Sequence, residues 1–231
     1  MSNGQTASRF DFDKVSGDYD SWYDNPVGRT YDRIQKTAIA AALESMPRGS
    51  RMLEVGCGTG HWTGFFSGMG FEVTGVDVSR KSLKLATSKD ISAAAFVLAD
   101  AHELPFGSGA FDVACAITAL EFLADARASV AEIGRCLKPG GRLVVGVLNR
   151  VSLLAWLRRR RGSKTFARAR LMSVDEVCEI LEPLGDATVY STAFVLPWRG
   201  LLWLSAVLNV VGRLLRLPYG DFIVGIVRTP I

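Results

Sequence analysis

Three carboxylates stand at a constant interval in this chain: Glu54, Asp77 and Asp100, each 23 residues after the last. Each falls at or near the end of a short β-rich run, and the interval is the length of one strand–helix repeat. The first is followed by Gly56-Cys57-Gly58-Thr59-Gly60. Glycines at a strand-to-helix turn let the backbone bend sharply and let a ligand come close without a Cβ in the way. The amides that open the next helix favour an anionic group. A carboxylate at Asp77 can accept both hydroxyls of a ribose, and one at Asp100 can accept an adenine amine. Hydrogen bonds to charged groups contribute about 1.5–3 kcal/mol each. The glycine pattern alone is common to many dinucleotide folds, and strand-end acids are often simply solvated. The weight lies in the shared register of all three.

These residues need elements to hold them. Residues 51–55, 72–77, 95–99, 112–117 and 142–148 read as strands, and 61–69, 79–89 and 125–138 as helices between them. Residues 173–184 open with Ser173 and carry Glu176 three positions on, a capping-box start. Strands at 187–193 and 222–228 close the sheet, and a helix over 28–46 packs on the front. The expected fold is a single α/β, Rossmann-like domain, with a mostly parallel seven-stranded sheet and helices on both faces. Both strand-end acids then lie at the carboxyl edge, where open α/β sheets bind ligands.

The runs LEVGCGTG, GVDVS, LADAHELPF, GAFDVACAITALEFL and LKPGGRLVVGVLNR together resemble class I S-adenosylmethionine-dependent methyltransferases. The likeness is greatest to the small-molecule branch with ubiquinone/menaquinone-type enzymes, and it is strong over residues 50–150. It implies S-adenosylmethionine as cofactor, with S-adenosylhomocysteine as product. It also implies that Glu54, Gly56, Cys57, Gly58 and Gly60 belong to the loop around the methionine moiety. Asp77 matches the ribose acid with Val78 against adenine, and Asp100 the adenine-amine acceptor with Ala101 beside it. Ala116 and Ile117 match the backbone bordering the methyl group, and Lys138-Pro139-Gly140-Gly141 a structural turn before strand five. Tyr19 and Tyr23, with Trp22, resemble an aromatic lid, where a cation–π contact contributes about 0.5–2 kcal/mol. Ordinary packing of an N-terminal arm is the other reading. The organisation expected is an arm and lid helix over 1–49 and a core over 50–231. A nicotinamide-dependent oxidoreductase is the rival enzyme class, but the spacing is GxGxG rather than GxGxxG. A protein that binds S-adenosylmethionine without turnover is the non-catalytic alternative.

Methyl transfer from a sulfonium is an in-line displacement with an activated leaving group, and alignment can supply about 7–11 kcal/mol. The catalytic base is unassigned. Glu121 could deprotonate an acceptor; the plainer reading is a helix-surface acid. Phe122 stands where many relatives carry His, which removes an imidazole there. His61 and His102 border the expected cofactor site without a base role, His102 as a loop residue near adenine.

The chain of 231 residues carries a formal net charge of +4, four Cys and two His. The cysteines are too widely spaced for a CxxC clip, so neither a metal site nor a disulfide framework is expected. Free thiols and the polar start MSNGQTASRFDFD suit the cytoplasm. Residues 150–170 carry eight positive charges and no acid, so the rest of the chain is net acidic. Residues 194–221 carry an apolar helix of about four turns between Pro197 and Pro218. Such a helix is buried, meets a second copy in a dimer, or touches lipid. The expected partner is a small, lipid-like acceptor, with peripheral membrane contact as one fate of these segments. Nucleic acid is disfavoured, because no Asn/Asp-Pro-Pro-aromatic motif follows strand four. The state is monomer or dimer.

Overall fold

A computed structural model describes residues 24–160, 169–196 and 198–231. The lid residues Tyr19, Trp22 and Tyr23 lie outside the described residues, as do Pro197 and most of the basic run after Arg160. The first helix, α1 (Pro26–Leu43), begins two residues before the expected start because Asn25 caps it, accepting from the Gly28 amide, and proline occupies its first turn. Its Tyr31, Gln35, Ala38, Ile39 and Ala42 recur at helical spacing and are buried.

Strands and helices then alternate: β1 (Arg51–Val55), α2 (His61–Gly68), β2 (Glu72–Asp77), α3 (Arg80–Ser88), β3 (Ala94–Leu98) and β4 (Phe111–Ile117). After them come α4 (Ala126–Cys136), β5 (Leu137–Leu148), α5 (Leu153–Arg160), α6 (Val174–Leu181), β6 (Ala187–Thr192), α7 (Leu204–Leu214) and β7 (Phe222–Arg228). The seven strands lie in the order β3-β2-β1-β4-β5-β7-β6. Six run in the same direction, and β7 runs antiparallel to both its neighbours, β5 and β6. This is the expected fold class. The capping box of Ser173 and Glu176 is present.

The central strands are buried on both faces, which explains their continuous apolar runs. Leu143, Val145 and Val147 of β5 join one core with α4 and α6 residues such as Val130, Ile133 and Val177. Val144 of the same strand joins the other core with Ile39 of α1, Trp62 and Phe66 of α2 and Leu154 of α5. Arg142 reaches the end of α1, donating to the Ala42 carbonyl at 2.6 Å and the Ser45 hydroxyl at 2.8 Å.

Two elements differ from expectation. β5 starts at Leu137, so Lys138-Pro139-Gly140-Gly141 lies within the strand as an irregularity rather than ahead of it. Leu137 pairs with Phe111, and the ladder resumes at Val113 with Arg142. The apolar helix is α7, with 11 residues rather than four turns, preceded by a 3-10 turn at Arg199–Leu201.

Candidate functional site

The carboxyl edge of the sheet gathers the expected residues. After β1 the chain turns with Gly56 at φ +73°, Gly58 at +53° and Gly60 at +80°. Gly56 is fixed by a close approach: a Cβ there would lie 2.6 Å from the Ala119 Cβ. The Gly56 and Cys57 amides both donate to the Val76 carbonyl, at 2.8 and 3.0 Å, which pins the loop to the end of β2. Cys57 packs down on Gly75, where a Cβ would meet it at 2.9 Å. Its thiol is buried beside Glu54 and Asp77, and burial pushes its pKa far up, so it is neutral packing. A Cβ on Gly58, in contrast, would meet nothing within 4 Å among the described residues. That open space over a glycine-lined turn is the room a ligand needs.

Asp77 ends β2 and closes the loop. Its Oδ2 accepts from the Gly58 amide at 2.9 Å and its Oδ1 from the Ser79 amide at 2.8 Å. Val78, half-buried, follows it at the start of the turn into α3. Glu54 is 2% exposed beneath the loop and accepts from the Thr63 hydroxyl at 2.6 Å. Burial, opposed by that hydrogen bond and reinforced by the Asp77 charge, pushes its pKa up to about 8. Asp100 follows β3, and its Oδ1 accepts from the His102 amide at 2.9 Å. The same oxygen lies 2.6 Å from His102 Nδ1, while His102 Nε2 accepts from the Asp125 amide. His102 therefore positions Asp100 against the start of α4, a role its place in the sequence does not reveal. Ala101 is buried beside it.

Ala116 and Ile117 turn their side chains into opposite cores, so only their backbone borders the edge. Thr118 then takes φ +51° and donates to the Gly146 carbonyl at 2.6 Å. The surface-acid reading of Glu121 is wrong. Its side chain is fully buried, because the turn after β4 folds under and its Oε1 accepts from the Leu148 amide at 2.7 Å. Among the described residues no hydrogen bond reaches Oε2, and burial raises the carboxyl pKa to about 7.

His61 lies 2.7 Å from Asp32 Oδ1 and 3.1 Å from Lys36 Nζ, so it ties α2 to α1. An open cavity of about 360 Å³ lies at the opposite edge, with Arg135, Lys138 and Thr229 in its wall. Arg135 and Lys138 are already paired there with Glu132 and Asp112, which leaves that cavity outside the site. Among the described residues no His, Cys, Asp and Glu group could hold a metal.

The donor set fits an adenosine-bearing cation. Acids at two strand ends accept from hydroxyls and an amine, and a buried glutamate gains by ionising beside positive charge. Residues 53–145 match the family described as a methyltransferase domain. An uncharacterized protein of Methanocaldococcus jannaschii is 32% identical over 183 residues, which cover 78% of this chain and 83% of that one. The 2-methyl-6-phytyl-1,4-hydroquinone methyltransferase of a Synechocystis strain is 29% identical over 202 residues. That match covers 78% of this chain but only 63% of the relative, under two thirds of its length. A S-adenosylmethionine-dependent methyltransferase of Thermotoga maritima superposes with a TM-score of 0.71 at 21% identity, covering 94% of this chain and 98% of that one.

Proposed function

The chain belongs to the class I S-adenosylmethionine-dependent methyltransferases, and we propose that it methylates a small, hydrophobic acceptor presented at the carboxyl edge of the sheet. When bound, S-adenosylmethionine supplies an activated methyl group. The residues of this chain do the rest by holding and aligning. Asp77 accepts from the ribose hydroxyls and Asp100 from the adenine amine. The glycine loop, with Glu54 beneath it, receives the methionine end.

The single observation behind the acceptor class is the character of the wall beside that edge. No Asp or Glu occurs in residues 150–172 or 187–220, and Leu153, Trp156, Trp198, Leu201 and Trp203 are exposed there. Such a wall offers little to a polar or cationic acceptor and a large contact to an apolar one. The Synechocystis relative, which by its name methylates a phytylated hydroquinone, supports the same class. The described residues assign no base, and in this reading alignment carries the reaction.

The test is S-adenosylhomocysteine release on adding cell extract split into organic-soluble and aqueous fractions. The organic fraction is expected to support release. Turnover with the aqueous fraction alone sinks the acceptor class and leaves the family intact.

A further inference from the structure

The last helix before β7 is turned the wrong way for water. On α7, Ser205, Asn209 and Gly212 form the inward face. Asn209 accepts from the Phe194 amide at 3.2 Å and donates to the Ser205 carbonyl at 2.7 Å, and Gly212 lies under the Phe194 ring. Trp203, Val207, Val210 and Leu214, at i, i+4, i+7 and i+11, share the opposite face, and all four point outward. Trp203 is 71% exposed, Val210 68% and Leu214 79%. An amphipathic helix of a water-surrounded domain buries its apolar side. This one buries its small and polar side, so its outer face is built for an apolar cover.

The surroundings say which cover. β7 begins at Phe222, paired with Leu148, and β6 ends at Thr192, paired with Phe222. α5 and α7 therefore both leave the sheet at its carboxyl edge, the edge of the cofactor loops. Asn149 binds the Pro218 and Gly220 carbonyls at 2.6 and 2.7 Å, and Asp221 accepts from the Leu154 amide that opens α5. The start of α5 and the end of α7 are thus held together. Among the described side chains the exposed cations here are Arg160 of α5, stacked 4.0 Å over Trp156, Arg213 of α7, 5.4 Å over the Tyr190 ring, and Arg216 just past the end of α7. No acid lies in either segment. Exposed Trp and Tyr beside arginines, around an apolar face, match the polarity of a lipid headgroup region. A second copy fits less well, because a two-fold contact would set like-charged arginines against each other.

We propose that the outward face of α7, together with Arg160, Arg213 and Arg216, docks this methyltransferase on an anionic phospholipid surface. Docking sets the carboxyl edge against the bilayer, where an apolar acceptor is concentrated. The helix is too short to cross a membrane and lies in its plane. Attraction to the headgroups is electrostatic and falls with salt.

The test is co-sedimentation of the full chain, without cofactor, with vesicles of phosphatidylcholine alone or with about a third phosphatidylglycerol. Binding to the anionic vesicles is expected to be at least about tenfold tighter and to weaken in high salt. Val210→Asp with Leu214→Asp is expected to abolish it while S-adenosylmethionine affinity and the circular dichroism spectrum stay unchanged. Arg213→Glu with Arg216→Glu is expected to remove the preference for anionic lipid. Absence of binding at low salt, or full binding by the Val210/Leu214 variant, overturns the proposal. A dimer in light scattering that the same variant converts to monomer assigns the face to a second copy and also overturns it. Because no turnover is read, failure here leaves the acceptor class untouched.

Discussion

The Glu121 carboxylate accepts a hydrogen bond from the Leu148 amide at 2.7 Å, which joins the turn after β4 to the carboxyl end of β5. A second bond, from the Arg170 amide to the Glu121 carbonyl at 2.8 Å, ties the chain ahead of α6 to the same turn. The turn that carries this buried acid is thus tied both to β5, through its side chain, and to the chain ahead of α6, through its backbone. Glu121→Gln keeps an oxygen for Leu148, whereas Glu121→Ala leaves that amide unmet. Loss of such a buried bond costs about 1–3 kcal/mol. The alanine variant is expected to lower the melting temperature and the turnover rate together, and the glutamine variant to retain both. A glutamine variant that folds well but has lost turnover would make Glu121 a base instead.

Stability is expected to fall as pH rises from about 4.5 to about 8. Glu121 and Glu54 hold their protons in the folded chain to about 7 and about 8, against an ordinary 4.5. In that window the unfolded chain binds fewer protons than the folded one, so ionisation drains stability. Below it neither group is ionised, and above it the loss is complete. Glu121→Gln should flatten the part of the slope below about pH 7, a change of about 3 kcal/mol at most. Denaturant midpoints at several pH values measure this; a wild-type midpoint that rises across the window contradicts the buried, protonated acids.

Glu54 gives the cofactor a pH signature as well. A cation bound over the loop favours the ionised carboxylate, so binding near pH 7 is expected to release up to one proton. Affinity for S-adenosylmethionine should therefore rise between about pH 6 and 8. Calorimetry in two buffers of different ionisation enthalpy reads the proton directly. Glu54→Gln is expected to abolish its release, and unchanged release in that variant would move the origin elsewhere.

The parts legible in the residue string were those governed by local rules. Strand ends at Val55, Asp77 and Arg228 and the cap at Ser173 follow from alternation, glycine and capping chemistry. What escaped was set by partners far along the chain. Pro139-Gly140-Gly141 reads as a turn, yet Phe111 recruits Leu137 into the ladder ahead of it. Glu121 looks like a surface acid until the Leu148 amide is seen to meet it. α7 reads as apolar nearly all round, and only its seating on Phe194 shows that the small residues face inward.

His102 illustrates the same limit and is open to test. Its ring joins Asp100 to the Asp125 amide, and Asp125 caps α4 by accepting from the Ala128 amide at 3.0 Å. His102→Ala should leave Asp100 less fixed and weaken S-adenosylmethionine binding several-fold, with a smaller loss in melting temperature. His102→Asn, which can still donate to Asp100, is expected to recover part of the affinity. Equal affinity in all three proteins would reduce His102 to a loop residue.

The glycine loop can be tested by comparing two of its own members. Gly56 and Gly58 both hold positive φ, so alanine at either meets the same backbone strain of about 1–2 kcal/mol. They differ in what the new methyl touches. At Gly56 it lies 2.6 Å from Ala119 and forces the loop off the turn that carries Glu121, whereas at Gly58 no described residue stands within 4 Å. Gly56→Ala is therefore expected to lose both stability and cofactor binding. Gly58→Ala should unfold within a few degrees of the wild type yet bind S-adenosylmethionine at least about tenfold more weakly, because its methyl fills the ligand's room. Thermal melts and titration of the two variants side by side separate the outcomes. Wild-type affinity in Gly58→Ala would mean that the cofactor does not pass over this turn.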